Sequence, residues 1–220
     1  VRIDEATSED LSKWIPAGRY DDLAGAVIGR DDAVVTPSSI TTIYAEGARK
    51  AGATFDFGQP MRSLHLDGPH FVLSLPHTTI RARRLVIAAG AWSKGILAGL
   101  GAPLPLVPYR TQAALLRPPV PASPTFPSAH DLDLDVYLRP ESGGRILGGD
   151  GTEHVEADPE RFVPGGDSSF LEHLAVSLSS RFPGWAESEV VSAWAGVCTA
   201  TPDRRPLIGP VAAVPGPFVI

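Results

Sequence analysis

The chain has 220 residues, 43 % of them hydrophobic and 20 % charged, enough to bury a sizeable core in one or two domains. Its formal net charge is −6, with no basic run or basic-aromatic interleaving, which argues against a nucleic-acid partner. No stretch reaches the ~18 consecutive apolar residues that a membrane-spanning helix needs. Val1 to Glu5 resemble no secretory or transit signal, so a cytoplasmic location is the expectation.

From the beginning of the chain, Ser8 ahead of Glu9-Asp10 opens a short capped helix that stops before Pro16. Thr36, Pro37 and Ser38-Ser39 open a second helix, with Ile40, Ile43, Tyr44 and Ala48 on one face and Gly52 at its end. Ala53 to Phe57 reads as a strand, followed by Arg62–Leu66 and His70–Leu75 around the turn Asp67-Gly68-Pro69. Thr79 to Arg84 leads into Leu85-Val86-Ile87-Ala88-Ala89, an apolar run suited to a strand buried on both faces, as in a parallel sheet. Gly90 ends it and a helix follows from Ser93 to Leu100. The 22 prolines are about twice the usual frequency; many cluster between Pro103 and Pro127, a stretch expected to connect domains rather than form a core. Strands are expected at Val136–Arg139 and Arg145–Leu147 around Ser142-Gly143-Gly144. A long helix near Ser168–Arg181 follows, with Phe170, Leu171, Leu174 and Leu178 at helical spacing, then strands at Val190–Trp194 and Phe218–Ile220.

The single cysteine, Cys198, excludes an internal disulfide and any multi-cysteine metal site, and fits a reducing compartment. His65, His70 and His77 fall close together without metal-ligand spacing and read as solvated side chains on surface strands and turns.

Three segments could carry chemistry. In Val86 to Ser93 a strand breaks into Gly90-Ala91 and enters a helix; small residues let a ligand approach the backbone, and helix N–H groups attract anionic oxygens. The same junction is also ordinary punctuation of an α/β fold. In Val136 to Pro140, followed by Gly148-Gly149-Asp150-Gly151-Thr152, strand alternation puts Tyr137 and Arg139 on one face and Leu138 on the other. That polar pair faces either a cleft or open solvent at a sheet edge. The third segment is Trp194 to Asp203 with Arg204 to Pro210, a strand unwinding into a polar Gly/Pro-bounded loop. No serine elbow, phosphate-binding loop or paired catalytic carboxylates occur, and no base stands beside Cys198 in sequence.

In this order the segments resemble the flavoprotein family that includes D-amino-acid oxidase, glycine oxidase, sarcosine oxidase and dimethylglycine dehydrogenase. Thr36-Pro37 with its helix and Gly52-Ala53 is similar to that family's stretch ahead of the adenine-side strand. Arg84 to Ser93 resembles its "VV-AAGAWS" segment, and Pro108 to Gln112 its "P-RGQ". Tyr137 to Pro140 and Trp194 to Gly209 resemble "VYLRP" and "W-G-R-TPD-PIIG".

The resemblance implies an α/β fold: a partial Rossmann-like domain for non-covalent FAD and an α+β substrate domain with an antiparallel sheet. Residues 1–35 and 104–198 would belong to the substrate domain, and residues 36–103 and 199–220 to the flavin domain. Pro60 and Met61 would meet the adenine; Ala89, Gly90, Ala91 and Trp92 would lie along the cofactor, with Gly209 also beside it; Tyr137 would overhang the substrate pocket with Arg139. The implied chemistry is hydride transfer from the carbon beside a substrate amine to the flavin, giving an imine that hydrolyses, with oxygen or another acceptor reoxidising the flavin. The implied partner is a small amine or amino acid, and a homo-oligomer is compatible with it.

Cys198 stands where glycine and D-amino-acid oxidases carry a carboxylate-clamping arginine, so Arg139 or Arg110 would have to replace it for an amino-acid substrate. Gly196 stands where sarcosine oxidases carry their flavin-linked cysteine, which argues against a covalent link through Cys198. The family's Gly-x-Gly-x-x-Gly and its closing Gly-His-x-Gly loop are not in the sequence, so these residues read as a stretch beginning after the first βαβ unit and stopping before the last helix, with a weak hold on FAD by themselves. The alternatives are a truncated or degenerate non-catalytic fragment, or one subunit of a hetero-oligomeric amine dehydrogenase.

Overall fold

A computed structural model describes residues 2–150, 156–214 and 216–219; the Gly151-Thr152 part of the second motif and the expected strand end at Ile220 lie outside the described residues. The elements run β1 (Ile3–Ala6), α1 (Ser8–Trp14), β2 (Ala26–Gly29), α2 (Pro37–Lys50), β3 (Ser63–Asp67), β4 (His70–Ser74), β5 (Thr79–Ala82) and β6 (Leu85–Ile87). After a 3₁₀ turn at Gly90–Trp92 come α3 (Ser93–Gly99), β7 (Val107–Arg117), β8 (Ala129–Asp131), β9 (Val136–Glu141) and β10 (Arg145–Asp150). The chain closes with α4 (Ser168–Arg181), a 3₁₀ turn at Pro183–Trp185, β11 (Glu189–Ala200), β12 (Gly209–Pro210) and β13 (Pro217–Val219). Two compact units result, one of residues 1–35, 110–155 and 162–196, the other of residues 36–109, 156–161 and 197–220.

The first unit is built on an antiparallel sheet in the order β11-β7-β10-β9-β8. Alternation sends Ala114, Leu116, Val136, Leu138 and Ile146 to one face, where α4 covers them with Phe170, Leu174 and Leu178. Phe126, Phe182 and Trp185 extend this core, with the Trp185 ring 5.5 Å from Phe126 and 5.8 Å from Phe182. α1 begins with a capping box: the Thr7 side chain accepts from the Asp10 N–H, and the Asp10 carboxylate accepts from the Thr7 N–H.

The Pro-rich stretch departs from expectation. It contains β7, an inner strand of the sheet whose Ala114 and Leu116 are fully buried, because its prolines flank the strand and Pro108 sits near its start, sparing the central ladder. The boundary between the two units also falls within it, between Tyr109 and Arg110.

At the end of α4, Arg181 is only 4 % exposed. Its Nε donates to Asp131 Oδ2 at 2.6 Å, its Nη1 donates to the Arg19 carbonyl at 2.7 Å, and its guanidinium pairs with Asp22. The Arg19 N–H in turn donates to the Arg181 carbonyl at 2.8 Å. The hydrogen bond from Arg181 holds the Asp22 carboxyl below the usual carboxylate range. A depressed folded pKa contributes stability above the unfolded value, about pH 4, and that stability is lost as pH falls through the folded value. Asp22→Asn is therefore expected to lower the urea midpoint at neutral pH, with the gap from the parent closing below about pH 4.

The second unit holds two three-stranded sheets, β3-β4-β5 and β12-β13-β6. β3 and β4 form a hairpin around Gly68-Pro69, where Gly68 has φ +58°. In the other sheet β13 runs parallel to β6 and antiparallel to β12. Its core joins Ile87 and Val219 to Leu97 of α3, with Ala102, Leu106, Val211 and Val214.

Two expectations fail in this unit. β6 is not buried on both faces: Ile87 points into the core under α3, whereas Val86 points the other way and is 58 % exposed, since no described element covers that face. Residues 53–57 form no strand. Phe55 and Phe57 stack at 5.9 Å, Arg49 lies 4.6 Å over the Phe55 ring, and no described strand pairs with the segment. α2 forms as expected and ends before Gly52 at φ +92°, but its Ile43 and Tyr44 are exposed.

Candidate functional site

In the second unit the β12-β13-β6 sheet sets one group of the singled-out residues. Val219 pairs with Ile87 on one side and with Gly209 on the other. Because β12 is antiparallel to β13, Gly209 opens it at the edge where β6 ends and leads into Ala88-Ala89-Gly90. This is the carboxyl edge of the parallel pair, where open α/β sheets bind their ligands.

At that edge Gly90 has φ +52°, a backbone conformation favouring glycine, and a methyl built on it would meet nothing within 4 Å. A Cβ on Gly209 would likewise meet open space. Ala91 is buried, while Trp92 is exposed and its indole N–H donates to Glu160. Lys94 Nζ donates to Glu156 Oε1 at 2.9 Å, so residues 156–161 are tied both to the 3₁₀ turn and to α3. Pro60 and Met61 lie exposed just before β3 rather than on the sheet that carries Gly90.

Three polar atoms in this unit are buried without a hydrogen-bond partner among the described residues: Ser93 Oγ, three residues after Gly90, Gln59 Oε1, next to Pro60, and Thr199 Oγ1, next to Cys198. Each is a donor or acceptor waiting for a partner, since such groups are otherwise satisfied in folded proteins. Open space against the Gly90 backbone together with the Ser93 and Gln59 atoms fits a nucleotide cofactor. In the sequence Ser93 closes the Val86 to Ser93 segment with no role of its own for its hydroxyl, and Gln59 is marked only by standing next to Pro60.

Tyr109, near the start of β7, has its phenol pushed up by burial and by neighbouring Cys198. Cys198 itself is a free, exposed thiol.

In the first unit, Val136 and Leu138 point into the core, while Tyr137, Arg139 and Glu141 are half-buried on the opposite face of β9. Arg139 Nη2 pairs with Glu141 at 2.6 Å, and its Nε is buried without a partner among the described residues. Every guanidinium nitrogen of Arg110 is engaged elsewhere. Its guanidinium bonds Asp167 through both terminal nitrogens, at 2.5 and 3.1 Å, while Nε donates to the Val163 carbonyl and Nη2 to the Gly165 carbonyl. Gln112 Oε1 accepts from the Asp167 N–H at 2.8 Å, fixing the loop that holds the pair. Of the two arginines considered for a substrate carboxylate, only Arg139 has a guanidinium nitrogen with no partner among the described residues. Among the described residues no group of three or more His, Cys, Asp or Glu side chains could hold a metal ion.

The family model for DAO, FAD dependent oxidoreductase, matches residues 3–220. Glycine oxidase from Geobacillus kaustophilus (strain HTA426) is 29% identical over 187 residues, which cover 85% of this chain and 48% of that protein. Mitochondrial dimethylglycine dehydrogenase from Rattus norvegicus is 27% identical over 228 residues, covering 92% of this chain and 25% of that protein. The chain thus spans about half, or less, of the length of these relatives. Among solved structures, that of glycine oxidase from G. kaustophilus has a TM-score of 0.82 at 24% identity and that of L-proline dehydrogenase from P. horikoshii 0.88 at 21%. Each covers 99% of this chain, which in turn covers 56% and 58% of those chains, and at these identities they show a shared fold. The chain belongs to the DAO family of FAD-dependent oxidoreductases.

Proposed function

We propose that this chain is part of an enzyme that uses non-covalently bound FAD to oxidise the carbon–nitrogen bond of a small amine or amino acid. The observation that carries the reading is the carboxyl edge of β6 and β13, where Gly90 leaves its backbone uncovered beside a buried, unpartnered Ser93 hydroxyl. Ala89, Gly90, Ala91, Trp92 and Gly209 would hold the cofactor there, and Pro60 and Met61, beside the unpartnered Gln59 carbonyl, would meet its adenine end. When bound, FAD supplies the two-electron acceptor for hydride leaving the carbon beside the amine.

This chain's own residues orient and desolvate. Tyr137 and Arg139 share the half-buried face of the sheet opposite α4, and the unpartnered Arg139 Nε would offer a donor for a substrate oxygen. Because Glu141 already compensates the Arg139 charge, a weakly anionic or neutral substrate suits this face better than one needing a bidentate clamp. The glycine oxidase and dimethylglycine dehydrogenase relatives support a small amine or amino acid as the substrate class.

The test is purification of the full-length protein followed by anaerobic addition of glycine, N-methylglycine and D-alanine, with bleaching of the flavin band as the expected result. A colourless full-length protein that takes up no FAD overturns the cofactor assignment. Gly90→Val, which fills the open space and puts a β-branched residue at positive φ, is expected to weaken FAD binding on the order of tenfold or more, with unchanged circular dichroism.

A further inference from the structure

Two successive glycines in β10 answer to opposite faces of the sheet. A methyl on Gly148 would point at the core, 3.0 Å from Leu174 Cδ1 and 3.2 Å from Leu138 Cδ2. A methyl on Gly149 would point to the other face and fall inside the ring and hydroxyl of Tyr137, its register partner on β9. The phenol therefore lies flat against the Gly149 backbone, in space that any other residue would fill. On the far side Gly149 pairs with Ala113 of β7, the next smallest side chain, so the floor beside the ring stays low. The clash involves only the far end of the tyrosine, a side chain that can swing about two torsions, whereas the sheet backbone beneath it is fully paired.

We propose that Gly149 is a positioning residue: by lacking a side chain it lays the Tyr137 ring across the sheet and so fixes where the hydroxyl meets the substrate. The proposal deepens the proposed function and rests on its placement of Tyr137 against substrate. Gly149→Ala drives the ring off the sheet with little effect on folding, because the displaced atoms belong to a half-buried side chain on the face opposite the core. A shift of about an ångström in a substrate-orienting group lowers turnover on the order of a hundredfold.

Two measurements on the FAD-loaded protein test it. In protein labelled with 3-fluorotyrosine, the resonance that disappears in Tyr137→Phe is expected to move in Gly149→Ala, with the unfolding midpoint near that of the parent. In kinetics with whichever of glycine, N-methylglycine and D-alanine bleaches the flavin, Gly149→Ala is expected to lower kcat/KM on the order of 10- to 100-fold when Tyr137 is present and not further when Tyr137 is already alanine. An unmoved resonance, or equal losses in both backgrounds, overturns the proposal. A moved resonance with kinetics indifferent to Tyr137→Ala overturns instead the placement of Tyr137 against substrate, and with it the catalytic consequence, while supporting the ring-setting role of Gly149.

Discussion

Arg181→Ala is expected to destabilise the first unit by about 3–5 kcal/mol, the range for removing one partner of a buried ion pair. The guanidinium joins three places far apart in sequence: Asp131 at the end of β8, Asp22, and the carbonyl of Arg19. Asp131 is the decisive partner, because its side chain is only 7 % exposed and would remain as a buried carboxylate with its Arg181 ion pair gone. Asp22, half-exposed, would return to water at small cost. Arg181→Met should therefore behave like the alanine variant despite filling the volume, whereas adding Asp131→Asn should recover part of the loss by removing the stranded charge. The check is urea unfolding followed by tryptophan fluorescence, since Trp185 sits in the same core. Equal midpoints for parent and Arg181→Ala would show that this network carries no stability.

Little of that network could be read in the sequence, where Arg181 is simply a basic residue in a last helical turn, favourable there on dipole grounds alone. Its three partners are 50 to 162 residues away, and no periodicity links them. Local signals fared better. α4 has the bounds its 3.6-residue spacing implies, β3 and β4 flank a turn at Gly68-Pro69, and β9 alternates as Tyr137, Leu138 and Arg139 suggest. The failures share one cause: what a strand needs is a partner, and sequence shows only the strand's own half. Residues 53–57 have the composition of a strand but no described neighbour in register. β7 sits among prolines that discouraged a core assignment, yet it has partners on both sides.

Of the singled-out residues, Ala89 to Trp92 and Gly209 lie at one sheet edge, whereas Pro60 and Met61 precede a different sheet. In the sequence the Gly148-Gly149 pair is only the glycine-rich stretch that follows the Val136 to Pro140 strand. Its physical meaning, two clearances on two faces, depends on which side chains stand opposite, and register is invisible until the hairpin is closed.

Leu174→Ala is expected to cost about 2–5 kcal/mol, and the size of that loss should depend on Gly148. Leu174 is 2 % exposed, and both of its methyl carbons rest close over the Gly148 backbone, at 3.0 and 3.4 Å from where a Cβ would stand. Gly148→Ala in the otherwise unchanged protein pushes a methyl against Leu174 and Leu138, whose rotamers are held by α4 on one side and the sheet on the other, so overpacking of about 1–3 kcal/mol follows. Combining the two changes places the alanine methyl in the cavity left by the truncated leucine. The double variant should accordingly be more stable than the sum of the single losses predicts, by a coupling on the order of 1 kcal/mol, within the range for residues in contact. Strict additivity in the urea midpoints would mean that α4 rides further from β10 than these distances place it. Pairing Gly149→Ala with Leu174→Ala is the control: that methyl points to the opposite face, toward Tyr137, and should show no coupling to Leu174.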